Sequence, residues 1–407
     1  MRSAVERFGY EEYDAPILEP LDIYLAKTGE EIVNEQTYSF TDRGDRKVTI
    51  RPEMTPTVSR MVAARRQELT YPLRWYSIPN LWRYERPQRG RLREHWQLNV
   101  DIFGIESLSA ELECIQVADF VMKSFGATHE MYTIRINSRQ LINYVLNEYL
   151  KLNETQSHTL SKLIDRMHKM ERSTFAAEVE AVFSPSQRDS GLSDKLLNLL
   201  TVSDINDLPE PLKNNNAAKK IRELLEKLSQ SGTLNAKFDM SLMRGFDYYT
   251  DIVFEIFDNH PENRRSMFGG GRYDGLVGLF GAEPVASVGF GVGDVTMRDF
   301  LDVHGLIPTL KTETDLYVIV IGVLGDDALK VVKELREMGL NVAVDLSGRK
   351  TDKQIKTAIK KGVNYVLFIG ENELKDEQYM LRNLQTNQEE LRSTQRIVSI
   401  IKDYRNQ

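Results

Sequence analysis

The apolar positions of this chain fall into four textures. In residues 1 to about 145, short alternating runs dominate. KVTIRPEM, RWYSIPNLWRYE and REHWQLNVDIFG predict strands there, set among turns and helices. From about 146 to 229 the period lengthens. LSKLIDRMHKMERSTFAAEVEAVF and AAKKIRELLEKLSQSG carry apolar residues at helical spacing with few β-branched runs. From about 230 to 303, strands and glycine-rich turns return. In IVFEIF one face, Ile252, Phe254 and Ile256, is wholly apolar, and the other is only partly so. After the loosely patterned VHGLIPTLKTET, the runs LYVIVIG, NVAVDL and YVLFIG alternate with the helical DDALKVVKELREMG and TDKQIKTAIKKG. Buried strands alternating with helices, with Gly339 and Gly362 as helix stops, predict a small parallel α/β domain.

The expected organisation is therefore an α+β first domain in two parts, 1–145 and 230–308. A helical insertion at 146–229 interrupts it, and an α/β domain at 315–407 follows. A length of 407 residues suits two or three domains. No stretch approaches eighteen consecutive apolar residues, and the first residues lack the apolar core of a secretory signal. Cys114 is the only cysteine, which excludes an internal disulfide and a cysteine-rich zinc site. It sits in ELECIQVADFVMKSF, an amphipathic helix, as a core residue, and a lone thiol fits a reducing compartment. The six histidines show no metal-ligand spacing, so no metal site is expected. The net charge of −7 leaves room for local basic patches.

Four stretches carry candidate chemistry. RWYSIPNLWRYERPQRGRLREHWQLNVDIFG places five arginines, Arg83, Arg86, Arg89, Arg91 and Arg93, in and around one turn. They are either a solvated hairpin tip or a site for a longer polyanion; against the first, Arg83 precedes the turn on a Trp- and Tyr-rich segment. An arginine among apolar strand residues calls for an anion, and its planar fork matches phosphate oxygens. In TIRPEMTPTVSRM, Glu53 and Thr55 follow a strand near a helix start. They are either capping groups or a carboxylate and hydroxyl placed for an ammonium. MRGFDYYT sets Arg244, Asp247, Tyr248 and Tyr249 at the mouth of an apolar strand, either as a capped edge or as a grip on something charged and aromatic. SMFGGGRYDGLVGLFG lets backbone approach a ligand closely at glycines 269–271, with Arg272, Tyr273 and Asp274 beside them. In VASVGFGVGDVTMRDFL, small residues alternate on a strand ahead of a helix, a pattern that serves close helix-on-sheet packing.

Together these stretches resemble class II aminoacyl-tRNA synthetases and, within them, the histidyl-tRNA synthetase family. FGYEEYDAPILEP is similar to the family's first motif, with Pro16 in place. LWRYERPQRGRLREHWQ resembles its second motif. MRGFDYYT and FGGGRYDGL resemble the two signatures peculiar to the histidine enzymes, and DLSGRKTDKQIKTA resembles the anticodon-binding module. The resemblance covers nearly the whole chain. It implies a class II antiparallel-sheet catalytic core with a helical insertion and a C-terminal α/β anticodon-binding domain. It also implies a cytoplasmic homodimer joined through the first motif. The family normally carries a further segment with a Gly-Thr-Arg-Asp stretch ahead of that motif, so an upstream segment is expected.

The activity implied is ATP-dependent joining of L-histidine to tRNA(His), with Mg²⁺ accompanying ATP. By motif position Arg83 meets the α-phosphate and Arg91 the γ-phosphate, with Glu85 also at ATP. Arg244 lies between ATP and histidine, so Arg83 and Arg244 are the catalytic residues. Glu53, Thr55 and Gln97 hold the α-amino group. Asp101, Tyr249 and Tyr273 surround the imidazole, with Asp101 shorter than the glutamate expected there, and Tyr248 also binds histidine. Arg86 and Gln88 read the acceptor end, and Arg349 and Lys353 touch the anticodon stem. Thr296 stands where the third motif ordinarily has an arginine, which leaves Arg298 or another cation to substitute. The alternative is the histidine-binding regulatory subunit of ATP phosphoribosyltransferase. Such paralogues lack the last domain and have lost the catalytic arginines.

Overall fold

The computed structural model describes residues 1–25, 36–167, 170–243, 248–263, 266–322 and 325–405. The chain forms two compact units, Met1–Ile307 and Pro308–Gln407.

The first unit is built on a nine-stranded sheet. Its order is Glu11–Glu12, Leu73–Ser77, Glu94–Phe103, Ser287–Gly293, Ser266–Arg272, Ile252–Asp258, Tyr132–Ser138 and Ala236–Phe238, with Asn80–Trp82 paired to the start of Glu94–Phe103. The central pairings are antiparallel and only the two outermost are parallel. The strand Ile252–Asp258 shows why the sequence reads as nearly continuous apolar character. Ile252, Phe254 and Ile256 enter a core shared with the helix Ser109–Ser124, while Val253 and Phe257 enter a second core on the opposite face. Both faces are covered, so both must be apolar. Cys114 lies buried and free in that helix, as its amphipathic pattern predicts.

The helices of residues 154–230 pack Leu160, Val179, Ile221 and Leu224 into the same large core behind the sheet. The front face carries Tyr248, Tyr249 and Tyr273. A small antiparallel sheet, Leu18–Pro20, Lys47–Ile50 and Tyr38–Thr41, precedes the helix Thr55–Arg65.

The second unit has a five-stranded sheet. Val342–Val344, Leu316–Val320 and Tyr365–Ile369 pair in parallel, as the alternating pattern predicts. Gly339 and Gly362 stop their helices with φ of 91° and 70°. The sheet is mixed rather than purely parallel, because Tyr379–Asn383 and Glu389–Arg392 extend it antiparallel. The last of these strands lies on the exposed edge and has no apolar run to announce it.

Candidate active site

The front of the large sheet holds a cavity of about 260 Å³. One strand supplies much of its floor. On Glu94–Phe103, Leu98, Val100 and Ile102 point into the rear core. The alternate residues His95, Gln97, Asn99 and Asp101 therefore share the front face. Gln97 Nε2 donates to Asn99 Oδ1 at 2.7 Å, which fixes both amides. The neighbouring strand Ser287–Gly293 makes room above them. A Cβ at Gly289 would stand 2.3 Å from Asp101 Oδ1, and one at Gly291 would stand 2.4 Å from Gln97 Nε2. The alternating small residues thus clear the floor of the cavity and are not only a packing surface for a helix.

The inner end is aromatic, acidic and dry. Glu53 and Tyr273 are 3% and 1% exposed. Tyr248 Oη donates to Glu53 Oε2 at 3.1 Å. The Tyr248 ring lies 4.8 Å from that of Tyr249 and 5.9 Å from that of Tyr273. Tyr273 Oη donates to Asp101 Oδ1 at 2.5 Å. Asp101 lies beneath Tyr273 and does not itself line the cavity. Burial raises the Asp101 carboxyl to about 7, and the bond from Tyr273 holds it from going higher. Burial and then the Asp101 charge push the Tyr273 phenol well above its ordinary value. Thr55 opens the helix Thr55–Arg65, whose N-cap Met54 has no side-chain capping bond. Glu53 and Thr55 both line the cavity.

The outer end is cationic and wetter. Arg83 Nε donates to the Pro52 carbonyl at 3.0 Å, and the residue lines the cavity. Arg91 lines it too, with its side chain 48% exposed and Nε 3.7 Å from Glu85 Oε2. His95, unremarked in the sequence, stands beside them. Burial, then the charge of Arg83, lowers it to about 4, so it is a neutral imidazole near pH 7. Thr296 lines this end and donates to the Gly293 carbonyl at 3.2 Å, whereas Arg298 is exposed and lies off the cavity wall.

Of the expected site residues, Glu53, Thr55, Arg83, Glu85, Arg91, Gln97, Tyr248, Tyr249 and Tyr273 therefore come together. Arg244 and Asp247 lie outside the described residues. Arg272 turns away from the cavity. Its Nε and Nη2 meet Glu111 at 2.6 Å each, and Nη1 reaches Asp274 at 3.2 Å. Arg86 and Gln88 are exposed on the turn beyond the cavity, where Gln88 bridges Arg91. In the second unit Lys353, Lys356 and Lys360 are exposed along the helix Thr351–Lys360. Arg349 Nη2 is held by Asp345 at 2.7 Å. No group of three or more His, Cys, Asp or Glu residues that could hold a metal occurs among the described residues. Nor is any described helix long and apolar enough to cross a membrane.

Comparison with known proteins agrees along the chain. Residues 1–294 match the family model for histidyl-tRNA synthetase, and residues 315–404 match that for an anticodon binding domain. The histidine–tRNA ligase of Leptospira biflexa is 44% identical over 389 residues, covering 94% of this chain and 88% of the relative. That of Thermoplasma volcanium is 35% identical over 390 residues, covering 96% and 90%. The crystal structure of histidyl-tRNA synthetase from Nostoc superposes with a TM-score of 0.80, covering 99% of this chain and 93% of that one. At 22% identity it speaks for the fold alone. The antiparallel core with a C-terminal α/β unit that the resemblance implies is the fold of that solved structure, and the chain belongs to the histidyl-tRNA synthetase family.

Proposed function

We propose that this chain ligates L-histidine to tRNA(His) in two steps, through a histidyl-adenylate. The observation that carries the reading is one cavity with two chemically opposite ends: Arg83 and Arg91 at one, Glu53, Tyr249 and Tyr273 at the other. ATP and a small aromatic zwitterion need that pairing. In the first step the histidine carboxylate attacks the α-phosphorus of ATP. A P–O bond forms as the bond to the departing pyrophosphate breaks. Negative charge gathers on phosphate oxygens, and positioned guanidinium groups stabilise it. Arg83 serves the α-phosphate and Arg91 the γ-phosphate. Arg244, by its motif position, serves the α-phosphate from the histidine side.

Glu53, Thr55 and Gln97 take the α-ammonium group. Tyr249 and Tyr273 take the imidazole, with Asp101 acting through Tyr273. Tyr273 spends its proton on Asp101, which leaves its oxygen free to accept from a ring N–H. Mg²⁺, if bound with ATP, would supply charge screening of its phosphates. Glu85 is the carboxylate at that end that would hold it, and one carboxylate plus phosphates and water is an ordinary Mg²⁺ environment. In the second step the ribose of the tRNA's terminal adenosine attacks the activated carbonyl and releases AMP. Arg86 and Gln88 address the acceptor end, and Arg349 and Lys353 the anticodon stem.

The first motif, where Ile17 and Leu18 are 45% and 41% exposed, joins two copies into a homodimer that works in the cytoplasm. The regulatory-subunit reading is not favoured, because the anticodon-binding match and the cavity arginines are both present. The test is ATP–pyrophosphate exchange against each of the twenty amino acids. Histidine alone is expected to support it. Exchange with another amino acid, or with none, overturns the reading.

A further inference from the structure

Behind the imidazole end of the cavity lie three buried oxygens with no partner. Asp101 Oδ1 accepts from the Tyr273 hydroxyl, while its Oδ2 has no hydrogen-bond partner among the described residues. Tyr13 Oη and Ser77 Oγ are in the same condition. The three residues are 2%, 8% and 1% exposed. Leaving a buried polar atom unsatisfied is costly, so three in one place call for an explanation.

The topology brings them together. Tyr13 extends the edge strand Glu11–Glu12, and its amide donates to the Tyr76 carbonyl at 2.9 Å. Its ring packs on Trp75 with centroids 5.6 Å apart. Trp75 stands directly across the ladder from Asp101, and Ser77 stands across from Asn99. The Tyr13 phenol is therefore delivered to the Asp101 end of the floor. Its chemistry registers that position. After burial, the Asp101 charge is the strongest influence raising it, and the nearby Ser77 hydroxyl works in the opposite sense. Tyr13 also contributes to raising Tyr273.

We propose that Tyr13 and Ser77 close a one-water chamber on the free oxygen of Asp101, making Tyr13 a positioning residue for histidine recognition. The water accepts from one hydroxyl and donates to Oδ2 and to the other, about the number of bonds a buried water ordinarily makes. Held at both oxygens, the carboxylate keeps one rotamer and so keeps the Tyr273 hydroxyl turned away from the substrate ring. Tyr273 then presents only lone pairs to the ring. The inference rests on the histidine-pocket reading above and adds to it a residue that touches no substrate.

The test is exchange kinetics on the full chain. Tyr13→Phe keeps the ring on Trp75 and deletes one hydroxyl. KM for histidine is expected to rise roughly tenfold, the worth of a hydrogen bond serving a charged group, while KM for ATP stays within twofold. Ser77→Ala is expected to raise it severalfold. The double variant is expected to be no worse than Tyr13→Phe alone, because both single changes empty the same chamber. Histidine KM within twofold of the parent in both single variants overturns the proposal. So does a parallel rise in KM for ATP, the mark of a merely structural role. Tyr273→Phe and Asp101→Asn, run beside them, separate the two levels. If these also leave histidine KM unchanged, the pocket reading itself fails; if they raise it and Tyr13→Phe does not, only the chamber fails.

Discussion

The two ends of the cavity are built on opposite plans. At the inner end the functional side chains hold one another: Tyr273 on Asp101, Tyr248 on Glu53, Gln97 on Asn99, and all of these but Gln97 are nearly inaccessible. At the outer end Arg83 and Arg91 flank an exposed turn, and the contact from Arg91 to Glu85 is a loose 3.7 Å. The difference follows from what each end must bind. A flat ring with one donor and one acceptor is told from its analogues by buried groups that analogues leave unpaired, and this can be worth roughly 10⁴–10⁵ in discrimination. Such groups must be fixed before the ligand arrives. A triphosphate is recognised by charge. Arginines that converge before it arrives repel one another unless water screens them, so exposure is the cheaper resting state.

The contrast predicts that outer-end changes strike activity and spare the fold, whereas inner-end changes strike both. The largest effect belongs to Arg83→Ala. Histidine-dependent exchange is expected to fall by about three orders of magnitude or more, within the range for a cation placed on a transferring phosphoryl group. The thermal midpoint should stay within about 2 °C. A midpoint drop as large as that of a core variant would erase the distinction between the ends. Gly289→Ala makes the opposite case. Its Cβ would lie 2.3 Å from Asp101 Oδ1 and 2.7 Å from the Val100 carbonyl. Overpacking of this kind costs about 1–3 kcal/mol. Urea unfolding should show that loss together with a rise in histidine KM.

Asp101→Asn sharpens the comparison, because here the inner end gives up stability for function. The folded carboxyl titrates near 7 and the unfolded one near 3.8. Between these values the folded chain holds a proton that the unfolded chain has released, so stability falls as pH rises through that window. Asparagine has no proton to lose. Its advantage in unfolding free energy over the parent should therefore grow by about 2–3 kcal/mol from pH 5 to pH 8, at 1.36 kcal/mol per unit. Exchange with histidine should weaken at the same time. A flat difference between the two proteins across that range would show that the Asp101 charge is not desolvated.

What the sequence made legible follows the same division. The arginines around the turn and the two tyrosine signatures stand out, because charge and aromatic rings are conspicuous against a strand. His95 and Asn99 escaped notice, although the signal was there: positions 95, 97, 99 and 101 are polar while 98, 100 and 102 are apolar. One strand thus announced a polar floor over an apolar core. Gly289 and Gly291 read as packing glycines because a cavity is a property of the space between strands, which no single strand encodes. Arg272 read as a pocket wall beside Tyr273. Alternation along the strand sends neighbouring side chains to opposite faces, and Arg272 goes to Glu111. The exposed edge strand Glu389–Arg392 could not be read at all, since nothing buried it.

The smallest expected effect tests whether the outer turn does two separate jobs. Arg86 is exposed on the same turn as Arg91 but lies beyond the cavity wall. If the turn divides its work, cations facing the cavity serve ATP and those facing outward serve RNA. Arg86→Ala should then leave histidine-dependent exchange within twofold and slow transfer to tRNA(His) by about tenfold, the worth of one good base-edge contact. Raising the salt concentration should not reproduce that pattern, because phosphate contacts weaken together as counterions compete, whereas a base contact is lost at one position. Equal losses in exchange and transfer would place Arg86 with Arg91 in the ATP machinery. The outer end would then be one cationic field reaching past the cavity wall, with no boundary between substrate and RNA.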